Sequence, residues 1–166
     1  MEEAQIGELK PVEGRETSYG EVLRWVLKHR EGELAVAIHD DRTMPGMVLE
    51  LAGPEAVMKL VGPHVHACFE LAGSDEVVAA ARAEHEATPN MLLMAAWVSA
   101  EDAPALVELL QSASTHSDPE VRKAVVKATA VQATPKLRKL AEKMARAEKN
   151  KKLAGQMRTM LAAWPR

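Results

Sequence analysis

Glycine and proline residues interrupt this chain at short, fairly regular intervals from residue 17 to the C-terminus. The segments between the breaks are roughly 8 to 15 residues long, the length of ordinary helices. Proline often stands where a helix would begin, and glycine just past where one would end. The breaks lie at Gly32, 43–46, Gly53–Pro54, Gly62–Pro63, 73–75, Thr88–Pro89, Ala103–Pro104, Asp118–Pro119 and Thr134–Pro135. This spacing predicts a series of short helices.

The segment 117–131, SDPEVRKAVVKATAV, has the clearest helical pattern. Asp118 stands where a side-chain N-cap belongs, and Pro119 stands at the first helical position. Apolar side chains then recur at i, i+3, i+4 and i+7, which predicts an amphipathic helix with one buried face. The residues of that face are Val121, Ala124, Val125 and Ala128.

Neighbouring segments carry similar signals. Residues 90–98 are apolar all round, as in a central helix, while 135–149 and the last segment each have one apolar stripe. Aromatic residues make up only 3% of the chain, so alanine, valine, leucine and nine methionines supply the apolar mass and favour helices over sheets. The two stripes consist of Leu137, Leu140, Ala141 and Met144, and of Leu153, Met157, Met160, Leu161 and Trp164.

The chain also resembles itself. LELAGPEAVMKL, beginning at Leu49, is similar to FELAGSDEVVAA, beginning at Phe69, which gives a period of 20 residues. Recurrence at periods of about 20 to 45 residues is typical of stacked repeats.

The segment APALVELLQSASTHSDPEVRKAVVKATAV resembles a HEAT repeat, in which a helix with an early proline is followed by a second helix that opens Asp-Pro-x-Val-Arg. The matching residues are Pro104, Leu106, Leu109, Leu110, Asp118, Pro119, Val121, Arg122, Ala124 and Ala128. Weaker copies can be placed at about 54–73, 74–99 and 135–164. The resemblance implies that Asp118 and Arg122 cap the helix and link neighbouring repeats.

We therefore predict an all-α fold, a short α-solenoid of HEAT-like helical hairpins. Residues 1–16 are expected to form a flexible arm, and 17–166 a single helical-repeat domain whose clearest repeat is 103–131. Within 17–53, the segments ELAVAIHDD and MVLELA could instead be short strands.

Charge is distributed unevenly. The segment from Pro119 to Arg166 holds 13 lysines and arginines against three acids, whereas the other 118 residues hold 8 basic and 21 acidic residues. Lys136, Lys139, Lys143 and Arg146 recur on one face of a helix. We predict a surface that binds an acidic protein partner, or phosphates without base specificity; a merely solvated face is the alternative. Its residues are Arg122, Lys123, Lys127, Lys136, Arg138, Lys139, Lys143, Arg146, Lys149, Lys151 and Lys152.

Other clusters give weaker signals. HVHAC brings together His64, His66 and Cys68, but no further ligand lies nearby in the sequence to complete a zinc site. We interpret HDD, residues 39–41, as a solvated loop, because adjacent side chains point in different directions and cannot act together on one substrate atom. No phosphate-binding loop or hydrolase motif is present. We therefore expect no enzyme activity, no cofactor and no metal.

The expected function is that of a non-enzymatic protein–protein interaction module: an adaptor, an assembly factor or an immunity-type protein. The alternative is a nucleic-acid-binding HEAT-like protein, similar to the alkylpurine DNA glycosylases, with Trp97 and Asp102 as a loose match to the residues of their cleft. The chain also resembles the HEAT-like bilin lyases, but fewer features support that resemblance. The single cysteine excludes an intrachain disulfide, and from the acidic N-terminal segment and the absence of a long apolar run we expect neither a secretory signal nor a membrane span. A cytoplasmic, soluble protein is expected, with its oligomeric state left open.

Overall fold

The computed structural model describes residues 9–17, 20–42, 44–68 and 71–164. The chain divides into two compact units, Met1–Leu71 and Ala72–Arg166. The described part of the first unit contains four strands and one helix, and that of the second contains six helices.

The first unit is built on a four-stranded antiparallel meander in which each strand pairs with the next along the chain. A two-residue turn, Arg30–Glu31, joins the second strand to the third. A register shift between Val12 and Arg15 interrupts the first pairing. The strands are β1 (Leu9–Thr17), β2 (Gly20–His29), β3 (Gly32–Asp41) and β4 (Val48–Ala52).

Helix α1 (Glu55–Cys68) packs against one face of this sheet. Leu27 of β2 and Leu34 of β3 are directly paired across the strands, and both are buried against Val57 and Val61 of α1. Because side chains alternate between the two faces of a strand, this register places Trp25 and Val36 on the same face as Leu27 and Leu34.

The all-α prediction is wrong, because residues 9–52 form a sheet. The two segments left open as strands, 33–41 and 47–52, coincide closely with β3 and β4, while β1 and β2 were not anticipated. Strands of ten residues such as β2 and β3 are as long as short helices, so the spacing of the breaks did not distinguish strands from helices. The single helical domain over 17–166 is corrected likewise. Of the predicted arm 1–16, residues 9–16 lie in β1, and 1–8 lie outside the described residues.

The break predicted at Gly62–Pro63 is also wrong, because α1 continues through both residues. Residues 54–73 are therefore not a helical pair. They supply one described helix, which covers the sheet.

The second unit is a stack of three helical hairpins with a continuous core. Within each hairpin, the two helices pack on each other. Between hairpins, α3 packs on α5 and α5 on α7, so the second helices form one layer, while α2 packs on α4 in the other. The hairpins are α2 (Ser74–Glu84) with α3 (Met91–Val98), α4 (Pro104–Ala113) with α5 (Pro119–Gln132), and α6 (Pro135–Ala147) with α7 (Lys151–Ala162).

Within this unit, the helix predicted from the segment 117–131 is confirmed as α5. The four apolar residues of the 121–128 stripe are buried, with Val121, Val125 and Ala128 fully so. Asp118 caps α5 by accepting a hydrogen bond from the Glu120 N–H at 2.8 Å. Thr134 and Asn150 cap α6 and α7 in the same way. Among the described residues, no helix is both long and apolar enough to cross a lipid bilayer.

Candidate functional site

The last helical hairpin carries most of the predicted basic surface. Six of its lysines are exposed, and among the described residues none of the six forms an ion pair with a carboxylate. They follow one another along α6, through the turn after it and into the first turn of α7. They are Lys136, Lys139, Lys143, Lys149, Lys151 and Lys152.

Three of these lysines are unfavourably placed for helix stability. Lys136 lies in the first turn of α6, and Lys151 and Lys152 lie in the first turn of α7; neither turn contains an acidic residue. The N-terminal end of a helix carries a partial positive charge, so a cation there is destabilising by a few tenths of a kcal/mol or more, and an anion is favoured. The hairpin therefore accumulates positive charge where its own folding does not require it.

Two of the three arginines of this hairpin, Arg138 and Arg146, are engaged within it. Glu142 accepts a hydrogen bond from Arg138 Nε at 3.2 Å and lies 3.7 Å from Arg146 Nη2, so one carboxylate serves both. Arg138 also lies over the ring of Trp164, 5.9 Å from its centroid. Trp164 is buried, as predicted for the last stripe. Among the described residues, the unpaired positive charge of this hairpin therefore lies on the six lysines and on Arg158, which is exposed on α7.

Arg122 is not available to a partner, because it is fixed in place by Glu148. Its Nε and Nη2 donate to the two carboxylate oxygens at 2.7 and 3.0 Å, and its Nη1 donates to the carbonyls of His116 and Ser117, both at 2.7 Å. The Arg122 side chain is 18% exposed and that of Glu148 is 4% exposed. This pair connects α5 to the end of α6, the linking role that the HEAT resemblance implied.

The pair shifts the pKa of both groups. The hydrogen bonds from Arg122 hold the pKa of Glu148 below its ordinary value, assisted by the backbone N–H of Asn150 and opposed by burial. The bonds to Glu148 raise the pKa of Arg122. Both groups are therefore charged at neutral pH, and each neutralises the other.

The two remaining predicted residues lie on α5, outside the last hairpin. Lys123 pairs with Glu120 one turn earlier, at 3.1 Å, and Lys127 is half-buried. The structure therefore separates the eleven predicted residues into a lysine-rich surface on the last hairpin and a group whose charges are paired or partly covered.

A groove of about 330 Å³ lies between the second and third hairpins, at the ends of their helices. Arg122 and Glu148 occupy it and bind each other, which leaves Lys149 as its free charge among the described residues. The remaining lining consists of Ser114, Thr115, His116, Met144 and Ala147. This lining offers no nucleophile held by a neighbouring base.

Asp102, one of the two residues that suggested a glycosylase-like cleft, has a structural role, and the other, Trp97, lies on α3. The carboxylate of Asp102 accepts a hydrogen bond from the Thr134 hydroxyl at 2.6 Å, and its backbone N–H donates to the Gln132 side chain at 3.1 Å. Trp97 is 41% exposed. Asp102 thus ties the start of α4 to the end of α5.

The HDD and HVHAC clusters do not converge in the described part of the chain. His39 pairs with Glu50 across β3 and β4 at 2.8 Å, and HDD forms the end of β3 instead of the predicted loop. His64 is exposed on α1, while the side chains of His66 and Cys68 lie outside the described set. Sequence reasoning missed Glu148 as the partner of Arg122, because the two are 26 residues apart.

Comparison of the chain with protein-family models, with curated proteins and with solved structures finds no match.

Proposed function

We propose that this protein is a non-enzymatic interaction module of the cytoplasm, in which the last hairpin of a HEAT-like helical unit binds an acidic segment of a partner protein. The proposal rests on the six lysines, which have no carboxylate partner among the described residues and stand partly at helix ends that favour anions. The lysines would attract an acidic chain over a distance and fix its register on contact.

The dimensions of the surface suit a short peptide segment. Helix α6 has 13 residues and is therefore about 20 Å long. An extended segment of about six residues covers that distance. Acidic side chains along such a segment could follow Lys136, Lys139 and Lys143 in turn and end at the lysines that flank Asn150.

Nucleic acid is the second candidate, because the same lysines could hold phosphates. This candidate predicts binding without base specificity and with a steep dependence on salt. The tryptophan nearest this surface in the chain, Trp164, is buried. It therefore provides no platform on which bases of a single strand could stack.

The test is fluorescence anisotropy with three labelled probes: an acidic peptide of alternating glutamate and serine, a generic DNA duplex and a single-stranded RNA. We expect the peptide to bind at low salt, and the triple variant Lys136→Glu, Lys139→Glu, Lys143→Glu to lose that binding. Tighter binding of duplex or RNA that is lost in the same variant would favour the second candidate.

The control variant reverses the same number of charges in the first unit, at Lys28, Arg30 and Lys59. These residues are exposed and each forms a surface ion pair, so their reversal matches the change in net charge. Equal weakening by both triple variants would show that only net charge matters. Absence of binding to all three probes at low salt would contradict both candidates.

A further inference from the structure

Two histidines and a glutamate from different hairpins lie together in the second unit. His85 and Glu86 follow directly after α2, and His116 lies in the turn between α4 and α5. One ligand atom from each residue lies within 4.8 Å of the others. The residues meet because α2 packs on α4, which brings the ends of both helices to the same edge of the stack. Sequence spacing gives no hint of the cluster, since 30 positions separate Glu86 from His116.

We propose that His85, Glu86 and His116 bind a divalent transition-metal ion. Two imidazoles and one carboxylate are ligands that Zn²⁺ accepts, with water completing an open site. The proposal is independent of the function assigned to the lysine surface, because none of its residues belongs to the last hairpin.

The geometry is close to what a metal requires. Donor atoms around a tetrahedral zinc ion are about 3.3 Å apart, given metal–ligand bonds near 2.0 Å. His116 Nε2 and Glu86 Oε1 are already 3.4 Å apart, and the two imidazole rings meet edge to face with their centroids 5.7 Å apart. Glu86 is 73% exposed, so its side chain can move by the remaining distance without disturbing the core.

Hydrogen bonds already orient one of the ligands. His85 Nδ1 lies 3.1 Å from the Arg82 carbonyl oxygen, which can only accept, so Nδ1 carries the proton and Nε2 keeps its lone pair for a metal. A backbone carbonyl in this position is the usual outer partner of a metal-binding histidine.

His116 must give up one hydrogen bond on binding. Its Nδ1 accepts from the Asp118 N–H at 3.1 Å, so the proton of the neutral ring is on Nε2 and points to Glu86. A metal at Nε2 requires that proton to move to Nδ1, which breaks the bond from Asp118. We therefore expect weaker binding than at a closed structural zinc site.

Two of the three cations near the site are paired, and the third, Lys149, lines the same groove as His116 and is exposed to solvent. Arg82 lies 3.8 Å from Glu108, and Arg122 is neutralised by Glu148. The net charge of the bound site is about +1, that of a divalent ion with one carboxylate.

The experiment is titration of the full-length protein with Co²⁺, followed by visible absorption, and with Zn²⁺, followed by calorimetry. We expect one ion per chain and an increase in thermal stability, because the ion connects the first two hairpins. His85→Ala and Glu86→Gln should each raise the Kd by more than about tenfold, the lower end of the effect of losing even an outer-shell partner. Glu86→Gln is the safer variant, because that exposed side chain contributes little to folding.

The matched controls are His64→Ala and Cys68→Ser, which remove the rival cluster on α1. Binding that persists in both controls and weakens in His85→Ala and Glu86→Gln supports the proposal. Binding lost in either control but retained in His85→Ala and Glu86→Gln overturns it. Absence of binding up to about 1 mM metal also overturns it.

Discussion

At the scale of single residues, the pair formed by Arg122 and Glu148 connects the second hairpin to the third. Its two charge-assisted hydrogen bonds are shielded from solvent, and Arg122 also satisfies two carbonyls at the end of the α4–α5 turn. Hydrogen bonds to charged groups stabilise more than neutral ones, and a charge left alone in such a place is costly. The pair therefore contributes to stability, unlike an ordinary surface ion pair.

Replacement of Arg122 by Met should lower the free energy of unfolding by about 2 to 3 kcal/mol, because Glu148 is left charged and covered. Lys123→Met is the control on the same helix, since its pair with Glu120 is on the surface and contributes less than about 1 kcal/mol. Urea unfolding of both variants measures the difference. Equal effects would mean that the Arg122 pair contributes no more than a surface contact.

The same pair predicts that the stability of the protein falls at acidic pH. The pKa of Glu148 is lower in the folded chain than in the unfolded chain. Its contribution to the free energy of unfolding is therefore complete above about pH 5 and is lost as the pH falls through the pKa of the folded chain. The stability difference between the protein and Glu148→Gln should therefore stay constant from about pH 6 to 8 and shrink below about pH 4. A difference that stays constant down to about pH 2.5 would contradict this assignment.

At the scale of elements, the helical unit was largely predictable from the sequence and the sheet was not. The stripe on α5 and the cap at Asp118 are local signals, carried by residues within one or two turns of each other. The sheet depends on pairings such as Leu27 with Leu34 and Trp25 with Val36, which become visible only once the strands are in register. The residues of the candidate metal site could not be predicted for the same reason, because only the packing of α2 on α4 brings them together.

Helix α5 ends at a residue that is unusual for its position. Ala133 follows the helix with φ 51°, in the left-handed region, and its N–H donates to the Thr129 carbonyl. An alanine in this conformation costs about 1 kcal/mol, and glycine is the usual residue there.

Ala133→Gly should therefore raise the free energy of unfolding by about 0.5 kcal/mol, after allowance for the greater freedom of glycine in the unfolded chain. Ala130→Gly, three residues earlier inside α5, should lower it by about 1 kcal/mol. Thermal unfolding of the two variants should give shifts of opposite sign. Destabilisation by both would show that the end of α5 is held in this conformation by other contacts.

At the scale of the whole chain, α5 is the central element of the second unit, because it packs on α3, α4, α6 and α7. Charge also changes along the stack. The first hairpin and its turn hold four acids and one basic residue, and the last hairpin holds two acids and nine basic residues. The stack thus has an acidic end and a basic end, which would orient an approaching charged partner.

The central position of α5 makes Val125 a test of the packing. Val125→Asp places an unpaired carboxylate at a fully buried site and should lower the free energy of unfolding by about 3 to 5 kcal/mol. Val131→Asp is the control, because Val131 is exposed on the same helix and should cost less than about 1 kcal/mol. Circular dichroism during thermal unfolding measures both, and similar melting temperatures would contradict the assigned buried face.

The stacking of hairpins mainly on their immediate neighbours has an evolutionary consequence. The second hairpin packs against the first through α3 and α5, and against the third through α5 and α7. An in-frame duplication of residues 104–134 would thus insert a unit whose two interfaces resemble ones that the chain already makes. Such an event would lengthen the stack without requiring a new core. The lysine-bearing hairpin would remain the last in the stack. Evolution could thus change the distance between the acidic end and the basic end of the stack while the basic end kept its residues.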